Sequence, residues 1–227
     1  MSSNRNSNVS TKSTDSKNSK TFYKIKLILI GDSGVGKTSL LGRYMDEEFV
    51  PNKPCTLYAE SKIKSITIDP FNSAEITIWD TCGQEKYRSV ANQFFKGAHG
   101  IILMFDVCDK RSFADLNIWL EKIKNNTIKD DVSIVLCGNK IDLKFRNIKF
   151  EDAKNFAKNN DLIYCETSSK EGINVEVAFE SVTKEIIKKL NKKNKFKIQE
   201  EKMLLGSTID MKGKGKEKRR EKEVKCC

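Results

Sequence analysis

The sequence predicts an α/β protein: an open, mostly parallel sheet with helices on both faces. Three observations predict it. Short apolar runs alternate with segments of helical spacing in the order β-α-β-β-α-β-α-β-α-β-α. GIILMFDV (100–107) and VSIVLCG (132–138) are continuously apolar, as strands covered on both faces require. Within residues 23–46, a strand runs into a glycine-rich loop that opens a helix. Sheets of this class bind ligands at the carboxyl ends of their strands.

The elements follow in chain order. YKIKLILIG is the first strand, and residues 37–46 (KTSLLGRYMD) read as a helix with Leu40, Leu41 and Tyr44 on its inner face. Residues 47–58 lack periodicity and contain Pro51 and Pro54, so a loop is expected there. SKIKSITID and AEITIWD alternate as a hairpin does, with PFNS between them. LIYCETS (162–168) is a weaker strand. SFADLNIWLEKIKN, FEDAKNFAKNN and INVEVAFESVTKEIIKKL have helical spacing, with Ser112 and Glu151 near the expected helix starts. Residues 1–20 have almost nothing to bury and read as a disordered extension. The folded domain is expected over 21–190, and 191–227 read as a Lys-rich tail.

Charge separates the same three parts. The 227 residues carry a net +11. Residues 1–20 hold four basic groups against one acidic, and residues 191–227 hold 13 against 6, so the body is left with 25 against 24. A folded domain with a basic face for nucleic acid is therefore not expected. A tail that faces an anionic membrane or an acidic partner is. The seven cysteines show no zinc spacing and no disulfide framework; Cys108, Cys137 and Cys165 lie in or beside apolar runs and read as buried thiols. No apolar run approaches the roughly 20 residues of a membrane span, and residues 1–20 lack the apolar core of a secretory signal.

Two motifs carry the chemistry. Gly31-Asp32-Ser33-Gly34-Val35-Gly36-Lys37-Thr38 fits G-x-x-x-x-G-K-[ST] in the strand-loop-helix setting that gives it meaning. Its glycines let backbone N–H groups wrap phosphate oxygens, and the helix amino end adds positive dipole. Ser33, Gly34, Val35, Gly36, Lys37, Thr38 and Ser39 are the expected phosphate contacts; Lys37 should reach the β- and γ-phosphates and Thr38 should bind Mg²⁺. Asn139-Lys140-Ile141-Asp142 follows the strand ending at Gly138. A carboxylate at Asp142 can accept both guanine N1–H and the exocyclic amine, a pair that adenine does not offer. The wrong base would leave a buried carboxylate unpaired, which costs several kcal/mol. The stem of Lys140 can cover the ring, and Thr167-Ser168-Ser169-Lys170 can bring a backbone N–H to guanine O6. A P-loop kinase or ATPase would need a lid and an acceptor site, and would leave N-K-I-D unexplained.

With these motifs, the chain resembles the Ras-superfamily small GTPases, and most of all the Rab family, over about residues 22–190. The resemblance implies the P-loop NTPase fold of small-GTPase type, a six-stranded mostly parallel sheet flanked by five helices. It implies GDP and GTP as ligands with Mg²⁺ as cofactor, GTP hydrolysis that is slow without an activating protein, and control of vesicle trafficking. Asp80-Thr81-Cys82-Gly83-Gln84-Glu85 is similar to the family's D-T-A-G-Q-E. Asp80 would hold Mg²⁺ through water, Gly83 N–H would touch the γ-phosphate, and Gln84 would orient the attacking water. Phosphoryl transfer needs placement and charge neutralisation more than a general base, so the lone His99 reads as an ordinary side chain. Cys82 replaces the family's Ala; it reads as a small apolar substitute or a redox-sensitive thiol.

The other switch is less regular. Aligning Phe49 with the aromatic that meets the guanine base puts Thr56 at the γ-phosphate-sensing, Mg²⁺-binding threonine. The Rab pattern I-G-x-D-F is here Leu57-Tyr58-Ala59-Glu60-Ser61, and Lys53 stands where an aromatic often closes over the nucleotide. Changed effectors and drift with unchanged partners are both open. Ile78-Trp79, Lys86-Tyr87-Arg88-Ser89 and Phe94-Phe95-Lys96-Gly97-Ala98 stay nearer the pattern.

Lys225-Cys226-Cys227 resembles a Rab-type double geranylgeranylation site, since a C-a-a-X box needs residues after its Cys. Two chains anchor stably where one does not, and the basic run 212–225 adds attraction to anionic lipid. The resemblance implies effectors, an exchange factor, a GTPase activator, an escort protein and a GDP-dissociation inhibitor as partners. A monomer is expected, with no nucleic acid, on the cytoplasmic face of an intracellular membrane and with a cytosolic pool. The alternative is a GTP-binding module with impaired cycling that acts as a constitutive membrane-bound scaffold.

Overall fold

The computed structural model describes residues 21–51, 53–81, 92–128 and 132–193. Cys82, Gly83, Gln84, residues 86–89 and both tails, with Cys226 and Cys227, lie outside the described residues.

Six strands form one sheet in the order β2-β3-β1-β4-β5-β6. β1 is Thr21–Ile30, β2 Glu60–Asp69, β3 Asn72–Asp80, β4 Gly100–Asp106, β5 Ser133–Asn139 and β6 Ile163–Glu166. β2 runs antiparallel to β3, and every other pairing is parallel. The hairpin turn is tighter than PFNS suggests, because β3 resumes at Asn72. Asp69 Oδ1 accepts the N–H groups of Phe71 (2.8 Å) and Asn72 (2.9 Å) and closes it.

The two-residue period of a strand divides the core into two layers. Leu27 and Leu29 of β1 join Ile76, Ile78, Leu40, Tyr44 and Phe179 on one face, where the Tyr44 and Phe179 rings stack with centroids 3.8 Å apart. Ile28 and Ile30 join Leu103, Phe105, Leu136, Trp119 and Leu120 on the other. The first face is covered by α1 (Lys37–Tyr44) and by α6 (residues 175–193). The second is covered by α4 (Leu116–Asn126) and α5 (Phe150–Asn159).

The helix expected over 112–125 is split. α3 is Lys110–Ala114 and α4 begins after Asp115, which stays in the right-handed helical region but with ψ flattened to −7°. With the short α2 (Asn92–Phe95), this makes six helical segments among the described residues, where five helices were expected. Ser112 does not start a helix. Asp109 does, its side chain accepting from Arg111 N–H. Ser112 is buried inside α3, where its Oγ accepts from Asp106 N–H (3.0 Å) and donates to the Asp109 carbonyl (2.9 Å). Glu151 lies in the first turn of α5, as expected.

His99 lies at the amino-terminal edge of the sheet. Its Nδ1 accepts from Lys26 N–H at 3.0 Å, and its backbone bonds Lys26 and Ser133. Burial, with the charges of Lys193 and Lys26, lowers its pKa. It thus joins strands, far along the chain direction from the strand ends that carry the motifs. Of the three cysteines expected to be buried, Cys137 is buried while Cys108 and Cys165 are half-buried. Among the described residues, no helix is long and apolar enough to cross a membrane.

Candidate functional site

The carboxyl ends of β1, β3, β4 and β5 bring the motifs together. Between β1 and α1, the loop turns sharply at Gly31, where an added Cβ would lie 2.2 Å from the Met104 carbonyl oxygen. A second glycine is required at Gly36 (φ 98°), because a Cβ there would meet Asn139 Nδ2 at 2.3 Å. α1 starts at Gly36 with no side-chain cap hydrogen bond, so its amino end can serve an anion. Lys37, 5% exposed, folds back to donate from Nζ to the carbonyls of Gly31 (2.8 Å) and Asp32 (2.7 Å).

Beside the loop, three oxygen side chains converge. Thr38 Oγ1 donates to Asp80 Oδ2 at 2.6 Å and lies 2.6 Å from Thr56 Oγ1. Among the described residues, the buried Asp80 Oδ1 has no hydrogen-bond partner. Burial pushes the Asp80 carboxyl up, against the Thr38 hydrogen bond and the charge of Lys37. A buried oxygen without a partner, on an under-compensated carboxylate beside two hydroxyls, fits a hard divalent cation such as Mg²⁺.

At the end of β5, Asn139 is buried and hydrogen-bonded through both ends of its amide. Its Nδ2 donates to the Val35 carbonyl at 2.9 Å. Its Oδ1 accepts from Thr167 Oγ1 (3.0 Å), Ser169 N–H (3.2 Å) and Ser169 Oγ (3.1 Å). Lys140 adopts a positive φ of 69°, and its ammonium pairs with Asp106 at 2.7 Å. Asp142 Oδ1 accepts from Ser168 Oγ at 2.6 Å, and Ser168 Oγ accepts from Glu171 N–H.

One cavity of about 340 Å³ adjoins all of this. Ser33, Gly34, Gly36, Lys37, Thr38, Ser39, Phe49, Thr56, Asn139, Lys140, Asp142, Ser169 and Lys170 all line it, as do Lys53 and Cys55. Val35, Ser168 and Asp80 stand behind that lining, through the Asn139, Asp142 and Thr38 contacts respectively. In the divergent loop, Tyr58 is 81% exposed and Leu57 is exposed beside it.

Sequence reasoning missed three supports. Arg43 of α1 donates to the carbonyls of Ser169 (3.1 Å) and Lys170, fixing the loop after β6. Asp106 anchors Lys140. Arg146 forms a two-pronged pair with Glu166, which also accepts from Tyr164; this joins the loop after Asp142 to the end of β6. The partners are 126, 34 and 20 positions apart in the chain. The one local signal is the acid at the carboxyl end of β4, in FDV.

Residues 26–188 match the Ras family. The chain is 40% identical over 178 residues to a protein named Ras-related protein Rab11A from Lotus japonicus, covering 78% of each chain. It is 40% identical over 177 residues to Ras-related protein Rab-2B of Dictyostelium discoideum, covering 78% of this chain and 87% of that one. This chain belongs to the Ras superfamily, as a Rab-type small GTPase. The rice protein RGP1, 41% identical over 173 residues and covered to 76% in both chains, agrees. As a Rab-type GTPase it hydrolyses GTP.

Acid should loosen the base-side loop of this GTPase. Burial alone would raise the Glu166 pKa. The Arg146 and Tyr164 hydrogen bonds and the Arg146 charge outweigh it, and the carboxyl is held below its ordinary value. Stability from Glu166 is then fully present above about pH 4.5 and lost as pH falls through the depressed folded value. Urea unfolding of the parent and of Glu166→Gln should give a constant gap from pH 7 to 5 and a shrinking one below pH 4. A gap that widens in acid would contradict this.

Proposed function

We propose that this Rab-type GTPase is a GDP/GTP switch that controls vesicle traffic through GTP-dependent effectors. The observation that carries the reading is one cavity lined by both the phosphate loop and the Asn139–Asp142 turn. In this reading Asp142 accepts the two guanine donors, Lys140 and Phe49 flank the base, and the loop after β6 presents Ser169 N–H and Lys170. Ser168 orients Asp142. Backbone N–H groups from Ser33 to Ser39 hold the phosphates. The Lys37 ammonium exchanges the carbonyls of Gly31 and Asp32 for phosphate oxygens.

Thr38, Thr56 and Asp80 would hold Mg²⁺, which supplies positive charge to the phosphate oxygens. Thr56 then reports the γ-phosphate, because its hydroxyl already meets Thr38 and loses a charged neighbour on hydrolysis. Gln84 orients a water for in-line attack on the γ-phosphorus. The bond from that phosphorus to the bridging oxygen breaks, and GDP and phosphate leave. Gly83 N–H and Lys37 stabilise the charge on the transferring group.

The domain of 21–190 carries the switch in this reading. The basic tail and a doubly geranylgeranylated Cys226 and Cys227 hold it at the cytoplasmic face of an intracellular membrane, with a cytosolic pool. An escort protein, a GDP-dissociation inhibitor, an exchange factor and a GTPase activator complete the cycle. The exposed Leu57 and Tyr58 and the Ser61 of β2 give effectors a surface unlike the usual Rab pattern.

Fluorescent mant-GDP should bind tightly and only with Mg²⁺, and Asp142→Asn should weaken it by on the order of 10³-fold while gaining xanthine nucleotide; equal affinity for ATP would end the guanine reading. Gln84→Leu should slow single-turnover hydrolysis about tenfold or more, and matched rates would remove Gln84 from water positioning. A tagged chain with Cys226→Ser and Cys227→Ser should turn from membrane-bound to diffuse in cells. Unchanged membrane association would show that the anchor lies elsewhere.

A further inference from the structure

Asp32 and Trp119 have no part in the reaction described above, yet they meet beneath its phosphate loop. Trp119 sits on α4, 2% exposed, within the core layer of Ile28, Ile30 and Leu103. Its indole N–H donates to Asp32 Oδ1 at 2.9 Å, across 87 positions of chain. The acceptor is a carboxylate, which makes this a strong class of hydrogen bond. A buried indole also holds its N–H partner in one place, because leaving that N–H unmet is costly.

Asp32 is well placed to transmit that hold. Gly34 and Gly36 take positive φ values, and between them Val35 is held by Asn139, so the far part of the loop has its own anchor. On one side, Gly31 passes close to the Met104 carbonyl, where there is no room for a side chain. The next residue is Asp32, and its carbonyl is one of the two that receive Lys37 Nζ. The Trp119 bond therefore restrains the residue at the start of the loop, whose carbonyl parks the phosphate-binding lysine. Trp119 does not line the cavity, so it acts from behind.

We propose that Trp119 is a positioning residue for the phosphate loop: by fixing Asp32 it holds the loop in the curve that retains the nucleotide's phosphates. The proposal rests on the guanine-nucleotide reading of the cavity. It predicts a device for setting nucleotide lifetime that lies on α4, outside every residue touching the ligand.

The test uses the full chain loaded with mant-GDP and chased with excess GDP. Trp119→Phe keeps an aromatic ring in the core while removing the donor, together with part of the indole's packing; it should release nucleotide about tenfold faster. Asp32→Ala should match it, and the double variant should be no faster than the faster single one. Asp32→Asn keeps a carbonyl acceptor and should return release towards the parent rate. Unchanged release in Trp119→Phe would overturn the proposal. So would single effects that multiply in the double variant, which is the signature of lost packing alone. Where Trp119→Phe does not fold, the contrast between Asp32→Ala and Asp32→Asn decides, and equal rates for those two overturn it. A parent chain that fails to retain mant-GDP instead refutes the guanine reading, which separates the two failures.

Discussion

The buried amide of Asn139 is the contact on which the site depends. It is a single side chain at the end of β5, yet it reaches the phosphate loop through Val35 and the loop after β6 through Thr167 and Ser169. All its bonds run to groups away from water, so a change there strands several partners at once. The amide also explains a glycine: Gly36 is needed because Asn139 occupies the space that a side chain would fill. Three loops from distant parts of the chain thereby share one reference point. A parallel sheet makes this possible, because its strands deliver their carboxyl ends to the same edge.

Around that amide the site is built in two shells with different jobs. Side chains that face the cavity are few and mostly polar. Behind them stand groups that only hold: Ser168 on Asp142, Asp106 on Lys140, Arg43 on the Ser169 and Lys170 carbonyls, and Trp119 on Asp32. Positioning of this kind suits phosphoryl transfer, where placement and electrostatics dominate. Asp80 is the exception. It has a buried oxygen with no partner among the described residues, and burial raises its pKa against the Thr38 hydrogen bond and the Lys37 charge.

Much of this was legible in the sequence, and the reason is locality. The strand-loop-helix around Gly31–Thr38 is read from adjacent residues, and so are the continuous apolar runs of β4 and β5. Their burial on both faces follows directly from composition. Asn139 and Asp142 were legible as a motif, but what Asn139 bonds was not, because Val35 lies 104 positions away. Arg43, Trp119 and Arg146 look like ordinary helix and loop residues until the fold brings their partners near. The break at Asp115 and the cap at Asp109 were missed for another reason. Ser112 is a good cap by type, and only the turn made by Cys108 and Asp109 shows that the helix has already begun.

The last described helix has a directional consequence. Residues 175–193 span roughly 28 Å at 1.5 Å per residue. Near its end, Asn191 accepts from the Tyr23 hydroxyl, close to where β1 enters the sheet. The last described helix thus ends at the sheet's amino-terminal edge, while the cavity lies at the opposite edge. A load applied at that helix's end and a ligand in the cavity would act on different poles of one sheet. Tension on one pole need not close the door at the other.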